Sequence, residues 1–152
     1  MKTTKRNQRG TTVVEFAIVG VVFFTVLFGV IDFSRLFWNL ASLDEATRRG
    51  ARVAAVCPPN DPYVAQTALF GGMIPGLGTE HIVIEYLNIN GVAVDPTTPI
   101  GYGSIRHVRV RIENFQLQTL IPGFEGIIGT PSFTTTIPSE SLGRVGTANV
   151  AC

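Results

Sequence analysis

The stretch that decides the reading is MKTTKRNQRG (1–10) running into TTVVEFAIVGVVFFTVLFGVI (11–31). Phe16 to Ile31 carries no charge, and apolar character extends back through Val13 and Val14 and forward to Leu36, Phe37 and Trp38. As a helix, residues 11–31 would be about 31 Å long, enough to cross a bilayer core. One carboxylate, Glu15, sits inside this run. A charge at that depth is costly unless it finds a partner, so Glu15 is the first candidate for a functional residue.

Lys2, Lys5, Arg6 and Arg9 precede the run with no acid among them, a flank that is retained on the cytoplasmic side. The remainder is then expected to face outward. The chain has 152 residues, 12 basic and 11 acidic; without residues 1–10 the balance becomes 8 to 11. A mildly acidic outer part with no basic patch argues against nucleic-acid binding. A cleaved secretory signal is the competing explanation for a basic flank and an apolar run. The run is longer than such a segment, it contains Glu15, and no small-x-small site followed by a polar mature sequence closes it.

Working outward, Leu36, Leu40, Leu43, Thr47, Ala51 and Ala54 recur at helical steps, with Asp44, Glu45, Arg48, Arg49 and Arg52 on the other faces. Asp44 with Arg48 and Glu45 with Arg49 are acid-before-base pairs four apart. A single helix is therefore expected from about Thr11 to Val56, stopped by Cys57, Pro58 and Pro59. Residues 60–79 read as a loop with a short helix near Tyr63 to Phe70. Ile82, Ile84 and Tyr86 alternate as a strand, and Asn90-Gly91 predicts a hairpin returning through Val92 and Val94. Ile105 to Phe115 is the clearest strand, and Ser132 to Ile137 a final one. The fold class expected is α+β: a long N-terminal helix, membrane-spanning in its first half and amphipathic in its second, packed on a small antiparallel sheet. The segments are a basic leader 1–10, a spanning and assembly helix 11–35, its amphipathic continuation 36–57, and an outer domain 58–152.

A cut after Gly10 would make Thr11 the amino terminus and Glu15 the fifth residue. A free amine and a carboxylate drawn into apolar surroundings can neutralise each other between adjacent subunits at far lower cost than either alone. Here the chain resembles the type IV prepilins: short basic leader, glycine at the cut, glutamate at mature position five, then an apolar helix. Within that family, Arg9-Gly10-Thr11-Thr12-Val13-Val14-Glu15-Phe16-Ala17 and the later Ala46-Thr47-Arg48-Arg49-Gly50-Ala51-Arg52 are most similar to the TadE-like minor pilins of the Tad (Flp) type IVb pilus system. The resemblance covers roughly residues 1–56. It implies a membrane-embedded aspartyl prepilin peptidase cutting between Gly10 and Thr11, methylation of the Thr11 amine, and Glu15 as the assembly carboxylate. Thr11 replaces the aromatic residue many type IV pilins have there. Major Flp pilins are little more than the helix, so a globular tail implies a minor, initiating or tip subunit.

The remaining chemistry-bearing residues are sparse. Cys57 and Cys152 would both lie in an oxidising compartment, where a bond between them would clamp the chain end to the helix end. Asp32 and Arg35 read as a local interfacial pair, Trp38 as an interface anchor, and Thr25 with Gly29 as a small-xxx-small approach point. His81 and His107 have no partner at metal-ligand spacing and read as exposed strand histidines. Arg106, Arg109 and Arg111 are expected to decorate a solvated strand face, and Gly71 to Gly78 lacks the Gly-Lys-Ser/Thr ending of a phosphate loop. No nucleophile is assembled with a base and an orienter, so no enzyme, cofactor or metal site is expected.

The function this points to is a minor pilin in the bacterial cytoplasmic (inner) membrane, with its N-terminus cytoplasmic and its C-terminal domain outside, acting in pilus biogenesis, initiation or tip structure. Its expected partners are the prepilin peptidase, other pilin subunits, the Tad inner-membrane assembly machinery and membrane lipid. Two other readings stand beside it: an uncleaved single-pass protein whose outer domain binds an envelope partner, and a small exported enzyme anchored by its N-terminus.

Overall fold

An apolar run without proline, continued by an amphipathic stretch, produces one helix, α1 (Arg9–Val56), of 48 residues and about 72 Å. The computed structural model describes residues 9–116, 132–145, 148–149 and 152. Residues 1–8, which carry most of the basic leader, lie outside the described residues. The most apolar window of α1 buries nothing against the rest of the chain. Its second half does the reverse: Leu43, Ala46, Thr47, Ala51 and Ala54 are fully buried. On the wet face, Arg48 meets Asp44 at 3.0 Å and Arg49 meets Glu45 at 2.8 Å. The Arg49 hydrogen bond holds the Glu45 carboxyl below its usual range.

After Pro58 and Pro59, Asp61 caps α2 (Pro62–Ala68) by accepting from the Tyr63 N–H at 2.9 Å, with Pro62 in the first turn. Short 3₁₀ turns at Phe70–Gly72 and Thr79–His81 lead into β1 (Ile82–Leu87). A helix not expected from the sequence, α3 (Pro99–Ser104), precedes β2 (His107–Ile112); Thr98 caps it by accepting from the Gly101 N–H at 3.1 Å. Then come β3 (Thr134–Pro138) and the two-residue strands β4 (Arg144–Val145) and β5 (Ala148–Asn149). β1, β2 and β3 form an antiparallel sheet in that order, and β4 pairs with β5.

Register follows from alternation. Ile82, Ile84 and Tyr86 stand opposite Ile112, Val110 and Val108, and Val108 and Val110 stand opposite Ile137 and Thr135. This inner face packs on α1, closely enough that a Cβ on Gly50 would lie 3.0 Å from Ala68 Cβ and 3.2 Å from Val110 Cγ1. Thr47 is the polar link across the layers. Its hydroxyl donates to the Asp44 carbonyl at 2.8 Å and therefore accepts from the Thr135 hydroxyl, also at 2.8 Å.

Several expectations need correction. The Asn90-Gly91 turn forms, closed by the Asn88 side chain accepting from Asn90 N and Val92 N. Its return makes one bridge, Leu87 to Ala93, with the Val94 N–H donating to the Tyr86 carbonyl on the edge of β1 away from β2, and goes no further because Pro96 has no N–H to continue the ladder. The Ile105–Phe115 strand shortens at both ends: Ile105 caps α3, and Asn114 takes a φ of 55°. Arg109 and Arg111 are not freely solvated, since both reach Glu85, at 3.6 and 3.0 Å, and Arg111 also meets Glu113 at 3.1 Å. Nor are the histidines exposed: both are partly buried, and His81 pairs its Nδ1 with the Glu113 carbonyl at 3.1 Å and stands edge-on to Phe115.

The C-terminal end of α1 is closed by a distant segment. The Glu140 and Leu142 N–H groups donate to the Ala55 carbonyl at 3.0 and 3.3 Å, and the Gly143 N–H and Ser141 hydroxyl donate to the Val56 carbonyl. These bonds satisfy carbonyls that a helix end leaves without partners. Cys57 and Cys152 are joined as a disulfide, with Cα atoms 5.6 Å apart.

Candidate functional site

The first three turns of α1 carry the candidate site. Gly10 and Thr11 lie in helical backbone, and Glu15 follows Thr11 by four residues, so the two occupy one face about 6 Å apart along the axis. That stripe continues through Ile18, Val19 and Val22, all exposed. Glu15 is itself exposed, and among the described residues none holds its carboxylate. At the centre of a bilayer such a group costs about 3 kcal/mol on insertion scales and less toward the headgroups, a cost that a partner would offset.

The Thr25 and Ser34 hydroxyls in the apolar half of α1 behave differently. The Thr25 hydroxyl donates to the Val21 carbonyl and the Ser34 hydroxyl to the Val30 carbonyl, each at 2.8 Å. Both are satisfied within their own helix, as a side chain in hydrocarbon requires. Glu15 stands out by contrast.

Among the described residues, no packing contact calls for glycine at position 10. A Cβ there would meet nothing within 4 Å, and its backbone is not in the left-handed region that favours glycine. The same open space surrounds Gly20 and Gly29, so a second helix could approach closely at either. Gly50, by contrast, is a packing glycine, as its neighbours show.

The structure thus brings Gly10, Thr11 and Glu15 together on α1 and joins Cys57 to Cys152 at the far end of the same helix. His81 and His107 lie at opposite ends of the sheet register, near Ile112 and opposite Leu87 respectively. Among the described residues no group of His, Cys, Asp and Glu could hold a metal ion. Sequence reading missed the cap on α1 from residues 140–143. The one local signal was Gly143, which takes a φ of 76° against the Pro58 ring.

Residues 10–52 match the family model described as TadE-like protein. The match opens at Gly10, includes Glu15 and ends in the amphipathic part of α1, so the sheet domain lies beyond it. No curated protein and no solved structure matches the chain.

Proposed function

We propose that this TadE-like protein is a minor pilin of a Tad (Flp) pilus, made as a membrane precursor and processed between Gly10 and Thr11. The leader stays cytoplasmic, the first half of α1 spans the cytoplasmic membrane, and the sheet domain faces outward. After the cut, the Thr11 amine and the Glu15 carboxylate of adjacent subunits pair within a bundle of apolar helices. Each charge then offsets the other's desolvation, and because the pairing fixes one axial offset it also sets register. A folded outer domain of this size favours an initiating or tip position over bulk filament.

The observation that carries this reading is Glu15, exposed and, among the described residues, without a partner on a bare apolar face, one turn from Thr11. Gly10 adds support: among the described residues the fold has room for a side chain there, so a glycine at this position fits a cut site read by an enzyme rather than a packing role. Its partners would be the prepilin peptidase, other pilin subunits and the Tad inner-membrane machinery.

The test pairs two substitutions in the native host. Glu15→Ala is expected to leave membrane insertion intact while pilus assembly falls, and Gly10→Ala to leave the fold intact while the precursor accumulates. Normal piliation with Glu15→Ala would contradict the assembly role.

A further inference from the structure

Where α1 leaves its apolar run, the outer domain returns beside it. The 3₁₀ turn Phe70–Gly72 is followed by Met73, Ile74, Pro75, Gly76 and Leu77. Ile74 and Leu77 are buried at 2% and 8% exposure, so they pin this loop to the core, and the Leu77 N–H closes a turn onto the Ile74 carbonyl at 3.2 Å. Met73 between them and the turn is left 54% exposed. The loop and α1 together form a notch of about 370 Å³ lined by Ser34, Arg35, Trp38, Asn39, Met73 and Pro75.

Its composition is that of an interface rather than of either phase alone. Arg35 supplies a cation, while the Asp32 carboxylate three residues before it on α1 lies outside the lining; Ser34 and Asn39 supply small polar groups, and Trp38 and Met73 supply apolar surface. The exposed apolar band of α1 runs directly into it through Phe33, Phe37 and Trp38, at 63%, 68% and 61% exposure. Arg35 lies about 6 Å and Trp38 about 10 Å beyond Ile31 along the helix. Headgroups flank a hydrocarbon core of about 30 Å at this height.

We infer that this notch seats the headgroup of an anionic glycerophospholipid of the outer leaflet, its phosphate on Arg35 and its glycerol and upper acyl chain against Trp38 and Met73. The inference rests on the membrane placement proposed above and adds a ligand to it. Charge complementarity and continuity with the spanning face favour lipid over a second protein. Seating a lipid here would fix the height and rotation of the outer domain on the membrane before the subunit is drawn into an assembly.

Trp38 is the sole tryptophan of the chain and so reports on the notch directly. The full chain is reconstituted in phosphatidylcholine vesicles containing a minor fraction of phosphatidylglycerol, with a shallow spin label on one lipid or the other. Labelled phosphatidylglycerol is expected to quench Trp38 about three- to fivefold more effectively than labelled phosphatidylcholine at equal mole fraction, the enrichment one interfacial cation can produce. Arg35→Gln should abolish that preference without changing quenching by phosphatidylcholine, and Met73→Ser should weaken quenching by both. Equal quenching by the two lipids in the unaltered chain would overturn the headgroup site while leaving the membrane placement standing. Absence of quenching by either lipid would overturn the membrane placement itself. Loss of quenching as protein is concentrated in the bilayer would mean that a second copy occupies the notch, and would equally overturn the proposal.

Discussion

Replacing Cys57 and Cys152 together by alanine tests whether the sheet domain depends on being tied to α1 at both ends. The disulfide joins residues separated by 95 positions, so it closes a loop containing nearly the whole sheet domain. In the chain-entropy model a loop of that size removes about 4.7 kcal/mol of freedom from the unfolded chain at 25 °C, and measured values generally fall somewhat short. The folded side contributes as well: residues 140–143 cap the Ala55 and Val56 carbonyls, next to Cys57, to which the bond ties the chain end. Alanine rather than serine is chosen because Cys57 is 2% exposed and a hydroxyl there would be buried. The expected loss is about 3–5 kcal/mol, a large part of the 5–15 kcal/mol typical of a domain. The assay is urea unfolding of the full chain in detergent micelles, followed by hydrogen exchange at the Val108 and Val110 amides. Those amides report the sheet rather than the detergent-covered half of α1. A midpoint shift worth less than about 1 kcal/mol would refute the reasoning, because the cap would then hold without its fastening.

Gly143→Ala should destabilise by more than about 2 kcal/mol in the same assay, since an L-residue at φ 76° is strained and its Cβ would clash with the Pro58 ring, which cannot yield. Thr47→Val keeps the shape but removes a hydroxyl that bonds the Asp44 carbonyl and Thr135, and should cost about 1 kcal/mol in the same unfolding measurement. Burial raises the Tyr86 phenol above its ordinary 10.0, so its contribution to stability is complete below pH 10.0 and is lost as pH rises through the higher folded value. Absorbance at 295 nm should therefore show one phenol titrating late in the folded chain, and Tyr86→Phe should remove that phase.

How far the sequence reached depended on the range of the forces involved. α1 was legible along its length because hydropathy, acid-before-base pairs and the Pro58-Pro59 stop are all local signals. β2 was legible in its core because Val108, Val110 and Ile112 alternate with charged residues, and its ends were misjudged because Ile105 belongs to the end of α3. α3 had a signal, Thr98 before Pro99, but its short glycine-containing stretch has no apolar period to reveal it. The return from Asn90-Gly91 stops after one bridge because Pro96, two residues past Val94, cannot donate to the ladder. The cap on α1 and the Thr47–Thr135 bond join residues far apart in the chain, and such partners leave no local pattern. The candidate residues Gly10, Thr11 and Glu15 are defined by local spacing, and the structure places all three on α1.

The central claim is that Gly10 marks a cut which exposes an amine for Glu15 to meet. The most direct measurement is the mass of the N-terminal peptide recovered from the membranes and sheared surface fraction of the native host. The account predicts a chain beginning at Thr11. Recovery of residues 1–10 still attached throughout both fractions would contradict it and leave an uncleaved anchor in its place.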